Sequence, residues 1–322
     1  MRGEQSGQVG FGDDLIAGRV PSDHWLIRLD RLVDWRAFDS VLANLYSHTG
    51  RPSHPPRVMF KMLLLEQWFN LSDNEVEMQS RMRIDFLCFL GLSLIDPVPD
   101  ATALVRFRQR LLADQVGKML FDRVIDQLAA RNMIVRKGTL IDATIVESAR
   151  TAPPRGGSGS SDKDAGWAVK RGTATHGYKA HTAVDAESDI VRCIATTPGN
   201  VHDSTVADGL VIGDETAVYA DKAYCDESRR ARLKADGIAP RILYKGRRNA
   251  PLTRYRISIN KRWSAVRSQV ERIFADWKVR RSLKRCRYVG LEKNHLHFTL
   301  LAMAHNLRRM MVMTKSSPQL TA

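Results

Sequence analysis

Residues 139–146 read TLIDATIV, a run that combines β-branched and apolar side chains. This composition is typical of a β-strand. Because side chains alternate along a strand, Asp142 points to the opposite face from its neighbours Ile141 and Ala143. A carboxylate in such a strand has to be solvated, paired or bound to a metal ion, since burying it alone is costly. The run therefore predicts a strand and a first candidate for a functional acid.

After this strand, the sequence contains further runs that are typical of strands and of helices. A short polar turn over residues 186–188 joins the first two strand-like runs and predicts a hairpin. Strands in a hairpin, followed by strands that alternate with helices, indicate a mixed α/β sheet. The predicted strands are 176–185, 189–198, 217–220 and 241–244, and the predicted helices are 203–212, 228–234 and 261–283.

The chain before this sheet has the pattern of helices, from about Trp25 to about Asn132. Residues 58–69 are dense in apolar side chains, which predicts a mostly buried helix. The sequence from Ser72 to Glu75 has the S-x-x-E form of a capping box, so a new helix is expected to begin there. After two prolines, Asp100 or Thr102 is expected to cap a further helix.

These patterns predict two domains and an α+β or α/β fold class. Residues 1–132 are expected to form an all-helical domain, and residues 133–314 a mixed sheet flanked by helices. Residues 149–161 are rich in Pro, Gly and Ser, a composition typical of flexible segments. We therefore expect a flexible loop over residues 149–175.

The chain is strongly basic, with a net charge of +15 and a pI near 10.0 over 322 residues. Residues 241–288 contain sixteen Lys or Arg and two acids, so this segment carries almost the whole excess. Soluble surfaces normally mix both signs of charge. An excess of this kind favours a polyanionic partner, and nucleic acid is the usual one. Aromatic residues interleaved with these cations can supply core and base-stacking surfaces.

Other features of the composition exclude some protein classes. The four cysteines are scattered without a C-x-x-C pair, so neither a disulfide framework nor a cysteine zinc site is expected. No apolar run approaches the length of a membrane span, and the first residues lack the apolar stretch of a secretory signal. We expect a soluble, cytoplasmic protein without a membrane partner.

Two further acids stand out beside Asp142. Asp221 ends the run AVYAD, at the carboxyl end of a predicted strand, which is where open α/β sheets usually place their sites. Glu271 lies in a helix pattern where Arg267, Glu271 and Lys278 fall within about 40° of one another. An isolated Arg–Glu pair contributes only a few tenths of a kcal/mol. In a segment this basic, however, a metal-binding acid flanked by phosphate-binding cations explains the arrangement better.

The sequence resembles the bacterial insertion-sequence DDE transposases, specifically the branch grouped as insertion sequence five. The runs GTLIDATIV, TPGNVHDS and YADKAYCDE are similar to its motif blocks. Arg267, Glu271 and Lys278 have the family's R-(3)-E-(6)-K spacing. The helical half is similar to the family's N-terminal domain in SHPPRVMFKMLLLEQWFNLSDNEVE and FLGLSLIDPVPDATALVRFRQRL. One departure is Ser264, which stands where relatives with the fuller signature have Tyr.

The resemblance implies an RNase H-like catalytic domain whose catalytic and metal-binding triad is Asp142, Asp221 and Glu271. Two Mg²⁺ ions, for which Mn²⁺ can substitute, would serve cleavage at the element ends and joining of the 3′-OH ends to target DNA. The expected partners are the terminal inverted repeats, target DNA and further copies of the chain, in a bacterial cytoplasm at the nucleoid. The residues predicted to bind DNA are Arg267, Lys278, Trp263 and Arg281.

Several alternatives stay open at this level. The helical half is expected to bind element ends or to assemble subunits, since helix packing explains its pattern as well as a base-reading motif does. His176 and His181 are better explained by hydrogen bonding than by zinc. Two other functions compete with transposition: an RNase H-like nuclease without strand transfer, and a non-catalytic DNA-binding protein derived from a transposase.

Overall fold

The chain up to Arg131 is helical in the computed structural model, which describes residues 18–46, 53–154, 162–170, 172–246 and 250–316. Two predicted helix starts are confirmed in detail. Ser72 and Glu75 form the reciprocal hydrogen bonds of a capping box, and Asp100 accepts a hydrogen bond from the backbone of Ala103. The helices described here are α1 (Trp25–Leu32), α2 (Asp39–Ala43), α3 (Pro56–Phe69), α4 (Asp73–Met82), α5 (Ile84–Leu90), α6 (Ala101–Leu112) and α7 (Val116–Ala130).

A mixed six-stranded sheet follows the helices and confirms the predicted fold class. Its order is β2-β3-β1-β5-β6, and β4 pairs with β3. Strand β3 is antiparallel to β1, β2 and β4, whereas β5 is parallel to β1 and β6. The strands are β1 (Thr139–Glu147), β2 (Gly166–Lys170), β3 (Thr173–Asp185), β4 (Val191–Pro198), β5 (Ala217–Ala220) and β6 (Ala239–Ile242).

Helices cover both faces of this sheet. Ile141, Ala220 and Ile242 pack with Leu233 of helix α8 (Glu227–Ala235) in one buried cluster. Helices α9 (Arg254–Arg267) and α10 (Gln269–Arg280) contact β5 and β1. Because side chains alternate along a strand, the residues that follow Ile141 and Ala220 face away from the α8 cluster.

The described residues form two compact units. Residues up to Arg131 and from Thr299 onward make one unit, and Asn132–Phe298 make the other. The last helix, α11 (Leu291–Ser316), therefore contributes to both. In the first unit Trp68 donates a hydrogen bond to the Ala304 carbonyl over 2.8 Å, and Arg308 lies 4.1 Å from the Trp25 ring. None of the helices in the described ranges is long and apolar enough to span a membrane.

The helix predicted over residues 261–283 is two helices instead of one. Helix α9 begins at Arg254, where Thr253 caps it, and α10 ends at Arg280. The two meet at Ser268, whose hydroxyl donates to the Ala265 carbonyl over 2.8 Å. Serine side chains that bond to the preceding turn compete with the helix backbone and bend it. The helical spacing of the apolar residues does not reveal this hydrogen bond, so the sequence predicted one continuous helix.

Three other local predictions need correction. The helix predicted over 203–212 is a pair of 3₁₀ turns, Asp203–Thr205 and Asp208–Leu210. The loop predicted over 149–175 contains strand β2, although residues 155–161 and 171 lie outside the described ranges. The last strand ends at Ile242, two residues before the predicted end. For the two strands, pairing with residues distant in the chain decides the element, and local composition does not report this pairing.

Candidate active site

Asp142 lies in the middle of strand β1, in register with Thr182 of β3. One of its carboxylate oxygens accepts a hydrogen bond from the backbone of Ala143 over 2.8 Å. The other accepts from the Arg267 guanidinium of helix α9. Burial raises the pKa of Asp142 above its ordinary value, although the positive charge of Arg267 acts in the opposite direction. The side chain is thus a mostly buried carboxylate with a cation as partner.

Asp221 lies next to Asp142 because of the parallel pairing of β1 and β5. The last paired residues are Ile141 of β1 and Ala220 of β5. Asp142 and Asp221 directly follow these two residues in the chain. Neighbouring strands are about 4.8 Å apart. Asp221 accepts a hydrogen bond from the backbone of Lys222 over 2.6 Å, and its negative charge contributes to the raised pKa of Asp142. The sheet therefore brings two of the three predicted acids together.

Glu271 stands in the first turn of α10 and is more exposed than the other members of the site, at 63% of its side chain. Its carboxylate is 3.5 Å from the Arg267 guanidinium. Arg267 is itself 14% exposed and contacts both Glu271 and Asp142. The third predicted acid is consequently connected to the first through a shared cation.

The carboxylates of the site meet part of what a divalent ion requires. Paired carboxylates suit a hard cation such as Mg²⁺, which prefers oxygen ligands. Asp142 and Asp221 fit this requirement, because they occupy neighbouring positions where the pairing of β1 and β5 ends. Within the described part of the chain, however, no group of three or more His, Cys, Asp or Glu is positioned to hold a metal ion. The Arg267 guanidinium is bonded to one Asp142 oxygen, which is therefore not free to bind a metal ion.

The other residues predicted to bind DNA occupy different positions around these acids. Lys278 is half-buried on α10, and burial together with the charge of Lys170 lowers its pKa. Trp263 stacks on Tyr244, with ring centroids 5.6 Å apart. Arg281 lies 3.7 Å from the Asp276 carboxylate. Arg267 therefore contacts the acids directly. Lys278 lies near Lys170, which acts electrostatically on Asp142, whereas Trp263 and Arg281 have other contacts.

Two family models match the chain. The first is described as Transposase DDE domain and matches residues 135–307, more than half of the chain. The chain belongs to the DDE transposase family. The second model, described as Transposase domain (DUF772), matches residues 15–110. No solved structure matches the chain. Membership of the insertion-sequence DDE transposases, which the sequence motifs predict, is confirmed, whereas the narrower branch stays a prediction.

In this transposase three residues that the sequence argument missed or set aside lie close to the acids. Lys170, at the end of β2, acts electrostatically on both Asp142 and Lys278. Tyr224 is buried just after β5, and its hydroxyl has no hydrogen-bond partner among the described residues. Burial and the carboxylates of Asp203, Asp142 and Asp221 raise the pKa of Tyr224. The run YADKAYCDE, which contains both Asp221 and Tyr224, was the available signal.

Asp203 belongs to a partly buried polar group beside strand β3. Lys179 of β3 donates to the Asp203 carboxylate over 2.8 Å and to the Val201 carbonyl over 2.7 Å. His181, two residues further on, bonds to the Thr197 hydroxyl over 2.8 Å. Burial lowers the pKa of His181 to about 4, so its imidazole is neutral at physiological pH. Lys179 thus holds the Asp203 carboxylate, a contact that the position of Asp203 in a turn did not reveal.

Proposed function

We propose that the chain cleaves DNA at the ends of an insertion sequence and transfers the resulting 3′-OH ends into target DNA. The observation that carries the proposal is the adjacency of Asp142 and Asp221 at the end of the β1–β5 pairing. Glu271 completes the proposed triad, linked to Asp142 by Arg267. Family membership supports the same chemistry, because the matching model is that of a transposase DDE domain.

The proposed cofactor is Mg²⁺, with Mn²⁺ as a substitute. Asp142 and Asp221 would hold it, and Glu271 would join them as a third ligand. When bound, the ions supply an activated oxygen nucleophile and relieve the charge on the leaving oxygen. Asp142 lies on strand β1, and Asp221 directly follows strand β5 and caps the next turn. Positions on or next to rigid strands suit this task, since such positions fix ligands more precisely than loops do.

Arg267 has a specific part in the proposal. For Glu271 to act beside Asp142, the Arg267 guanidinium has to release the Asp142 carboxylate to which it is bonded. A DNA phosphate offers Arg267 another anion with the fork geometry that guanidinium prefers. Arg267 then holds the DNA backbone together with Lys278 and the exposed Lys170, two cations that lie near each other. These contacts position the DNA and carry no sequence information.

The division of labour between domains is also a proposal. We assign cleavage and joining to residues 132–298. We assign binding of the terminal inverted repeats or assembly of subunits to the helical unit, which includes the residues from Thr299 onward. The second family model supports a transposase role for the helical half, since it matches residues 15–110. A homo-oligomer on DNA follows from the chemistry, because two element ends have to be cut and joined together.

The test uses purified protein, a labelled element end, a target plasmid and Mg²⁺, with Mn²⁺ and Ca²⁺ in parallel reactions. Transposition predicts cleaved ends and joined products with Mg²⁺ or Mn²⁺. Cleavage without joined products would support a nuclease without strand transfer. Binding of the DNA without any cleavage, under all three ions, would leave a DNA-binding protein that has lost its catalytic activity.

A further inference from the structure

Helix α9 has two sides with different partners. One side is held against the sheet, where Ile259 is buried and Arg267 bonds to Asp142. Asn260 exchanges two hydrogen bonds with the backbone of Tyr244, over 2.9 and 3.1 Å. Trp263 stacks on the Tyr244 ring. These contacts fix the rotation of α9 about its axis and therefore decide which residues face solvent.

The solvent side of α9 carries three cations. Arg254, Lys261 and Arg262 are all exposed. Successive residues of a helix are rotated by about 100° about its axis, so the three cations fall within a sector of about 100° around that axis. Arg267 points roughly opposite to the centre of this sector. We name this sector the outer face of α9. The catalytic candidates lie beyond the other side of the helix, so the outer face is a separate surface.

The cations of the outer face are not paired with an acid among the described residues. The chain has no Asp or Glu between Asp236 and Glu271, although nine Lys or Arg lie in that interval. Within the described ranges, Arg254, Lys261 and Arg262 form no ion pair with a carboxylate. Like charges on adjacent turns of a helix repel each other. A polyanion placed on the outer face removes this repulsion.

The shape of the outer face also suits an extended phosphate backbone. Ser258 and Ala265, both exposed, occupy its middle, so a ligand can approach the helix closely between the longer cations. The rim carries Tyr255, which is 72% exposed. From Arg254 to Lys261 the helix rises by about 10 Å, which corresponds to about three base pairs of B-form DNA.

We infer that the outer face of α9 binds the phosphate backbone of duplex DNA away from the scissile phosphate, through Arg254, Lys261 and Arg262. The inference rests on the proposed function, since it takes the polyanion to be the DNA on which the enzyme acts. Its contacts are independent of base sequence. They provide affinity and hold the flanking duplex, whereas Arg267 and the acids act at the site of cleavage.

The test measures the salt dependence of DNA binding without divalent ions, so that no cleavage occurs. The triple variant R254A/K261A/R262A is compared with wild type and with K163A/K234A/K293A. The control variant loses the same charge from three exposed lysines elsewhere in the second unit. Alanine preserves the helix, because it is the best helix former, and thermal melting checks the fold of each variant.

The triple variant should lower the slope of log affinity against log salt by up to about 2.7, at about 0.9 per phosphate contact, on element-end and scrambled duplexes alike. The control should leave the slope close to that of wild type. Equal slopes for the two variants would overturn the inference, and so would a loss confined to element-end DNA. The binding result does not depend on cleavage, so failure of the proposed function would be seen separately in the product assay.

Discussion

The guanidinium of Arg267 is bonded to the carboxylate of Asp142, which precedes it by 125 positions in the chain. The same guanidinium lies 3.5 Å from Glu271, one helical turn further on. Arg267 therefore connects an acid of strand β1 to an acid of helix α10. In the proposed reaction this cation moves between a protein carboxylate and a DNA phosphate.

Replacing any acid of the proposed triad should abolish catalysis without abolishing DNA binding. We expect Asp142→Asn, Asp221→Asn and Glu271→Gln each to lower the cleavage rate by roughly 10⁴-fold, a loss typical of groups that act as one catalytic unit. The measurement is cleavage and joining of labelled ends, with affinity determined in parallel. Asp236→Asn, an exposed acid on the same unit, serves as the control. Wild-type cleavage by one of the three variants would remove that residue from the triad.

The Asp142→Asn variant should also gain stability relative to wild type as the pH rises. Burial raises the pKa of Asp142 in the folded chain above its value in the unfolded chain. The folded state then binds the proton more tightly, so its stability falls as the pH rises through the folded pKa. Asparagine does not ionise and avoids this loss. Urea unfolding between about pH 4 and about pH 8 without divalent ions measures the difference, and a difference that is independent of pH would contradict the prediction.

Lys170 and Lys278 should each contribute one phosphate contact near the acids. We expect Lys170→Ala and Lys278→Ala to lower the salt slope of DNA binding by about 0.9 each. Removing Lys278 is also expected to raise KM for the DNA more than it lowers kcat, because backbone contacts hold substrate and transition state alike. Lys234→Ala, at an exposed position of α8, is the matched control. Unchanged slopes for both variants would exclude these two lysines from the DNA surface.

Tyr224→Phe should stabilise the fold and slow the reaction. The buried hydroxyl has no hydrogen-bond partner among the described residues, and an unsatisfied buried polar group costs about 1–3 kcal/mol. We infer that the hydroxyl bonds to a charged group when DNA is bound, so its loss should lower cleavage about ten- to a hundredfold. Tyr178→Phe is the control, because the Tyr178 hydroxyl donates to Asp162 over 2.5 Å and its removal should destabilise the fold. A loss of stability in both variants would contradict the assignment of Tyr224.

A catalytic fragment should end at Phe298 rather than at the carboxyl end of the chain. The residues of α11 from Thr299 onward pack in the helical unit, where Leu300, Leu307 and Met310 are buried. We expect residues 132–298 to fold and to bind DNA with little preference for element ends. Residues 132–322 should self-associate, since they expose the apolar side of α11. Light scattering and binding to end and scrambled DNA test both fragments, and end discrimination by residues 132–298 would assign recognition to the catalytic unit.

Local patterns were sufficient for much of the fold. The capping box at Ser72 depends on contacts within three residues, so the local order of residues predicts it. The local order also narrowed the next cap to Asp100 or Thr102, and the structure shows Asp100 in that role. Strands β1 and β5 have side-chain patterns that suit a sheet whatever their partners are. The family could be recognised from short motifs for the same reason, since each motif is contiguous in the chain. The sequence did not predict strand β2, because this strand depends on its pairing with β3 and not on its own composition.

The sequence by itself determined the helical half, the mixed sheet, the basic segment and the residue types that the chemistry needs. Only the tertiary structure decided which of these residues meet. The register of β1 and β5 makes Asp142 and Asp221 neighbours, and the break at Ser268 separates the helix of Arg267 from that of Glu271. Strand register and helix packing depend on contacts between residues far apart in the chain, whereas composition and spacing describe each segment alone.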